Sequence, residues 1–297
     1  MTTEQTEQTE QTERVVDAHL HLWDLSVSDY SWLPPGGPLH TTFTAERARA
    51  ELDAAGVAAA ILVQAEDSEA DTEFMLGQAR RHDWIAGVVG WARLEDPTTA
   101  ERQLDRWREG TTALCGVRHL VHDDPRDEFL ALPGVRRSLA LLAEAGLPFD
   151  VPDAWPRHLA GVAGLAAALP GLTIVVDHLG KPPRDRDSFA AWRETLRTVA
   201  ERPNTVAKLS GLQVRGEPFT VDAVRPAVET AFELFGPQRL MYGGDWPMTE
   251  PFGGYGQAWS VLSRLLGELS GAERARVLSG TASAVYGVAS PAPERVR

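Results

Sequence analysis

Eight short apolar runs, each followed by a stretch of helical periodicity, constrain this chain more than any other feature. The runs cover residues 15–23, 57–64, 85–94, 113–121, 147–151, 172–180, 204–212 and 239–246. Their unbroken apolar character suits strands buried on both faces of a parallel sheet. The stretches 44–55, 69–82, 97–109, 135–145, 155–169, 187–201 and 221–235 read as helices, mostly with Gly, Pro or Asn at the exit, and a last helical region covers 257–269 and 272–286. Thr44 is placed to cap the first helix and Gly56 to stop it. Eight such units within 297 residues predict an α/β chain folded as a (β/α)8 TIM barrel. A doubly wound open sheet is the alternative, but no Gly-rich phosphate-binding turn follows an early strand.

The barrel is expected over 15–288. Residues 3–13 read TEQTEQTEQTE, a polar repeat without an apolar face, so 1–14 is expected to be a disordered tail. Residues 289–297 read as a second loose end. A single cysteine, Cys115, rules out an intramolecular disulfide and a cysteine-ligated zinc. A net charge of −13 argues against nucleic-acid or anionic-membrane partners and leaves a homo-oligomer open. No secretion signal is read at the N-terminus, and a cytoplasmic enzyme is the expectation.

Barrel enzymes carry their chemistry at the C-terminal strand ends, so the polar residues that close each run are the candidates. The first run ends His19-Leu20-His21, and strand alternation turns both imidazoles the same way. The sixth ends Asp177-His178 and the eighth Gly244-Asp245-Trp246. Three His and one Asp are donors suited to a divalent metal, although each alone reads equally well as structural. Their shared placement favours a common site. Of the 29 basic residues only Lys181 and Lys208 are lysine; Lys208 lies in an apolar run, where an unpaired ammonium is costly. Arg118 and His119 close the fourth run and are placed to orient an oxygen-rich or acidic substrate; His122 reads as structural or binding. Trp23, Trp91 and Trp246 close runs where they would rim a pocket, or merely plug the barrel mouth. Gln64 is a further candidate pocket wall. The loops 25–42 and 247–256 are long, and Tyr30, Trp32 and Tyr255 are candidate lid contacts.

The strings DAHLHLWD, GVRHLV, DHLGKP, AKLSGL and MYGGDWP occur in that order. Together they resemble the amidohydrolase-related family, in its lactonase branch, from about Val15 to Val288. The resemblance implies the (β/α)8 barrel independently of the run count. It implies that His19, His21, His178 and Asp245 are metal ligands and that Asp245 is also the general base. Lys181 and Lys208 match lysines of the branch motifs. Arg118-His119 stand where the wider superfamily places a carboxylated lysine, so a single divalent ion, zinc by its donors, is implied; some lactonases of the branch require none.

The expected activity is hydrolysis of a lactone, an EC 3.1.1-type reaction, on a small-molecule sugar-acid lactone such as L-fucono- or L-rhamnono-lactone, in carbohydrate catabolism. Asp245 would deprotonate water; the histidines, with or without metal, would polarise the carbonyl, with His178 among the catalytic groups; Lys208 would supply charge to the oxyanion or to a substrate carboxylate. Trp23, Gln64, Trp91, Arg118, His119, Lys181 and Trp246 are the substrate-binding expectations. The glycines before Asp245 are expected to let the backbone turn sharply. The alternative is a metal-dependent decarboxylase of an aromatic or muconate-type acid on the same barrel, and the third reading a non-catalytic binding protein.

Overall fold

A computed structural model describes residues 14–110 and 113–288. The tail expected over 1–14, Arg14 apart, and the loose end at 289–297 lie outside the described residues. Strands β1 (Val15–Leu20), β2 (Val57–Val63), β3 (Ile85–Gly90), β4 (Leu114–Arg118), β5 (Phe149–Val151), β6 (Ile174–Val176), β7 (Thr205–Leu209) and β8 (Leu240–Tyr242) form one sheet in sequence order. Every neighbouring pair is parallel. Between β8 and β1 a bridge from Leu20 to Trp246 closes the ring. Two backbone bonds fasten that seam: Asp245 N–H donates to the His19 carbonyl (2.7 Å), and His21 N–H donates to the Trp246 carbonyl (2.7 Å). The chain is a (β/α)8 barrel, and its seam is sewn through three of the predicted ligands.

The outer ring comprises α1 (Ala45–Ala54), α2 (Glu69–Ala79), α3 (Pro97–Gly110), α4 (Pro133–Glu144), α5 (Leu159–Ala168), α6 (Arg186–Ala200), α7 (Val221–Phe235) and α8 (Gly254–Leu266). Thr44 does cap α1, its side chain accepting from the Arg47 N–H. Ser68, Asp185 and Thr220 do the same for α2, α6 and α7. Alternation along the strands separates two apolar layers. Val15, Leu62, Val88, Ile174 and Leu240 pack outward against the helices. Val16, Ile61, Val89, Val175 and Met241 fill the barrel itself.

The predicted helix at 272–286 is broken into α9 (Gly271–Ala275), a wide turn over Arg276–Gly280, and α10 (Thr281–Tyr286). The break brings Ala282 and Tyr286 into the interior cluster. The Tyr286 hydroxyl donates to Asp150 Oδ2 on β5 (2.6 Å), so the end of the chain is tied to the inside of the barrel. Among the described residues no helix is long and apolar enough to cross a membrane.

The sixth and eighth apolar runs are longer than their strands. After Val176 the chain passes through four successive left-handed residues, His178 (φ 55°), Leu179 (54°), Gly180 (71°) and Lys181 (69°). After Tyr242 it reaches Asp245 at φ 55°. Non-glycine residues adopt this region at a cost of about 1–2 kcal/mol each, so such positions mark places where side-chain direction matters more than local comfort.

Candidate active site

His19, His21, His178 and Asp245 converge from three strand ends. His19 Nε2 and His21 Nε2 are 3.1 Å apart. Asp245 Oδ1 lies 3.8 Å from His19 Nε2, 3.6 Å from His21 Nε2 and 3.9 Å from His178 Nε2. The register of β1 against β2 shifts between Asp17 and Leu20, an irregularity that re-aims the side chains beside it. Asp17, fully buried, accepts from His19 N–H (2.9 Å), Gly244 N–H (2.8 Å) and the Tyr255 hydroxyl (2.8 Å). It thereby ties β1 to the segment that carries Asp245. Burial raises its pKa to about 7, partly opposed by those donors.

The glycines before Asp245 serve close approach rather than a sharp turn. A Cβ on Gly244 would stand 2.2 Å from Tyr255 and 2.4 Å from Asp17 Oδ2; the left-handed residue here is Asp245 itself. Gly211 passes so close to the His178 ring that a Cβ would meet Nδ1 at 2.2 Å. Glycine at both positions lets backbone pack directly on the site.

Each imidazole is aimed by its other nitrogen. His21 Nδ1 bonds the Val63 carbonyl (2.7 Å), an acceptor only, so Nδ1 carries the proton and Nε2 offers a lone pair. His178 Nδ1 meets Ser210 Oγ (2.9 Å). His19 Nδ1 lies 3.4 Å from Asp177 Oδ1 and 3.2 Å from Lys208 Nζ. Burial lowers the pKa of all three, well below the usual range for His19 and His178, and keeps them neutral, the form that binds a metal.

Lys208 does not reach the substrate space, contrary to the expectation that it serves the oxyanion. It is fully buried, 2.7 Å from Asp150 Oδ2 and 3.0 Å from Asp177 Oδ1. It donates to Asp150 and pairs with Asp177; the tautomer that leaves His19 Nε2 free for a metal carries its proton on Nδ1, toward Asp177. Burial disfavours the ammonium, but the two aspartates outweigh it and raise its pKa. Burial would likewise raise Asp177, yet Lys208, then His19 and Arg118, hold it well below the usual carboxylate range. Asp150 is pushed up to about 6 by burial, with Lys208 opposing. Sequence reading missed Asp150 and Asp177 as partners. The signal was there: a lysine in a buried strand demands carboxylates on the neighbouring strands.

A cavity of about 850 Å³ opens above the cluster. His21, His178, Asp245, Arg118, Trp23 and Lys181 border it. Trp32 borders it too and donates its Nε1–H to the Ala65 carbonyl (2.7 Å). Arg118 donates to Asp177 Oδ2 (3.3 Å) and to the Gln64 carbonyl, while its Nε has no partner. Its Nη1 lies 3.5 Å from His19 Nε2, which makes it the cation that lies against the cluster and also meets the cavity.

Several expected contacts are not cavity walls. Gln64 is fully buried and donates to Asp67 Oδ1 (3.0 Å). His119 lies behind the wall, accepting from Trp91 Nε1–H (3.1 Å) and stacked on Phe129 at 4.0 Å. Burial lowers its pKa to about 4. Trp91 is spent on that bond, and Trp246 donates to Glu250 Oε1 (2.6 Å) and packs on Phe43. Tyr30 and Tyr255 are fully buried, bonded to Asp71 and Asp17, so neither is a lid contact. Strand-end position alone did not separate these residues from the wall, because residues beyond the last ladder bond turn either way.

The donor set fits a single divalent ion. Neutral imidazoles whose Nε2 atoms crowd within 3.1 Å repel unless a cation or proton lies between them, and Asp245 supplies one anionic oxygen to the same point. His19, His178 and Asp245 place one donor atom each within 4.8 Å of one another. Asp177, Ser210 and the Val63 carbonyl orient the histidines from behind, as metal-binding histidines require.

The amidohydrolase family profile matches residues 16–288. An L-fucono-1,5-lactonase of Burkholderia multivorans is 33% identical over 95% of this chain and 98% of its own. The crystal structure of an amidohydrolase from Burkholderia multivorans with bound zinc superposes with a TM-score of 0.84 at 32% identity, covering 93% of this chain and 99% of that one. A 5-carboxyvanillate decarboxylase from Sphingomonas paucimobilis shares the fold, with a TM-score of 0.65 at 17% identity over 94% of this chain and 100% of its own.

Proposed function

The chain belongs to the amidohydrolase family, and from that premise we propose that it hydrolyses a neutral sugar-acid lactone of the L-fucono-1,5-lactone type, with one zinc ion held by His19, His21, His178 and Asp245. The observation that carries this reading is the convergence of three neutral Nε2 atoms and Asp245 Oδ1 at the cavity floor, beside Arg118. The lactonase at 33% identity supports the ester chemistry, and the substrate in its name supports the sugar class. The distant decarboxylase shares only the barrel and carries no substrate argument.

Water is a poor nucleophile at neutral pH, and an ester carbonyl builds negative charge as it is attacked. A bound zinc supplies a Lewis acid for the carbonyl and a lowered pKa for water. Asp245 accepts the proton of the attacking water at its free carboxylate oxygen and returns it to the ring oxygen as the acyl–oxygen bond breaks. The product is the open hydroxy acid. Arg118, rather than Lys208, faces the carbonyl oxygen with positive charge. Lys208 and Asp177 hold His19 in place and do not touch substrate. Trp32, backed by the buried Trp23, offers an indole face to the C–H face of a sugar ring.

A pH-indicator screen against aldonolactones, with and without chelator and added zinc, tests this reading. Acid release from L-fucono-1,5-lactone that falls with chelator and returns with zinc is expected. Silence on every lactone, with carbon dioxide released from an aromatic acid, overturns it in favour of the decarboxylase.

A further inference from the structure

The cavity wall holds a lysine–aspartate pair that the proposed mechanism does not use. Lys181 Nζ and Asp153 Oδ2 are 3.8 Å apart, too far to share a hydrogen bond, and both side chains are about one-third exposed to the cavity they line. Asp153 Oδ1 is buried and has no hydrogen-bond partner. The protein thus leaves Oδ1 unmet, and Oδ2 is the oxygen that faces Lys181 across the gap. His122 lines the cavity beside it, with its Nδ1 also buried and unpartnered.

The spacing of the pair is built, not accidental. Asp153 (φ 40°) and Lys181 (φ 69°) both sit in the left-handed region, where side chains other than glycine are strained. Lys181 N–H donates to the His178 carbonyl (2.8 Å), which fixes the lysine to a residue of the ligand cluster. Trp155 N–H donates to the Gly180 carbonyl (2.9 Å), which fastens the loop after β5 to the loop after β6. A surface ion pair needs none of this and gains little from it.

We propose that Asp153 and Lys181, flanked by His122, are the subsite that reads the ring hydroxyls of the substrate and selects neutral hydroxylated lactones over carboxylated ones; this rests on the lactone hydrolase reading above. A hydroxyl can donate to a carboxylate and accept from an ammonium through a single oxygen. Inserted at the 3.8 Å gap, it satisfies both partners. A substrate carboxylate placed there gains the lysine but meets the charge of Asp153, and a bare ring leaves both charges unpaired as water is displaced.

The test compares L-fucono-1,5-lactone with δ-valerolactone, the same ring without hydroxyls, using wild type, Asp153→Asn and Lys181→Met. The ratio of kcat/KM for the hydroxylated over the plain lactone should fall by about tenfold or more in each variant. A ratio within about threefold of wild type in both variants overturns the subsite. Calorimetric binding of L-fucose, a neutral hydroxylated ring that cannot be hydrolysed, tests the subsite without turnover. Binding by wild type, weakened about fivefold or more in each variant, supports it, and no binding by wild type overturns it. If no lactone is turned over but L-fucose binds in this pattern, the hydrolase reading fails and the subsite stands.

Discussion

The chain has two lysines, and each faces aspartates, but the two regions differ in every other respect. Lys208 is sealed inside the barrel, within 3.0 Å of both Asp150 and Asp177. Lys181 stands on the cavity wall, one-third exposed and 3.8 Å from Asp153. The first is sealed from solvent: Lys208, with Arg118, offsets the two carboxylates, and its effect on chemistry passes through His19. The second meets the cavity, where a ligand can reach both partners. Equal residue types thus separate into scaffold and recognition according to whether the protein or a ligand completes their hydrogen bonds.

The contrast is broken most directly at Lys208. Lys208→Met strips two buried carboxylates of their cation and should destabilise the fold by about 3–5 kcal/mol, read as a lower denaturant midpoint. A loss below about 1 kcal/mol would mean that water already reaches the pair. Arg118 stands between the two regions, paired with Asp177 yet bordering the cavity. Arg118→Met should lower kcat by about 10²–10³-fold, as loss of an oxyanion donor does, with a smaller change in KM. An effect confined to KM would place Arg118 in binding alone.

His119 sharpens the comparison from the dry side. Its pKa falls from the ordinary 6.5 to about 4 because burial disfavours the imidazolium more than Asp124 restores it. A base with a depressed folded pKa contributes stability that is fully present above pH 6.5 and is lost as pH falls through about 4. Unfolding of His119→Gln should therefore show a flatter pH dependence than wild type between pH 7 and 4, by at most about 3 kcal/mol. Parallel curves would contradict a neutral buried His119. The smallest effect belongs to Lys181→Met, which should change stability by less than about 0.5 kcal/mol. A larger loss would make the wall pair part of the scaffold.

The barrel was legible because eight apolar runs and eight amphipathic stretches are a long-range pattern that few folds satisfy. The convergence of the candidate ligands was legible for a related reason: His19, His21, His178 and Asp245 all end runs, and a barrel brings run ends together. What sits behind a strand end was not legible. Trp91 bonds His119 beneath the wall, and Gln64 turns to Asp67, because the backbone leaves the ladder there and the side-chain period of two no longer applies. Asp153 lies just past β5 in a left-handed conformation that no local sequence rule announces. Asp150 and Asp177 were readable only by asking what a buried lysine needs.

The central claim is that Asp245, set among three neutral imidazoles, is the base of a lactone hydrolase. Steady-state hydrolysis of L-fucono-1,5-lactone by wild type and Asp245→Asn, both loaded with zinc and both shown to be folded, tests it most directly. The account predicts a fall in kcat of about 10²–10⁴-fold in the variant, with the cooperative thermal transition retained. Turnover by Asp245→Asn within about threefold of wild type would contradict it.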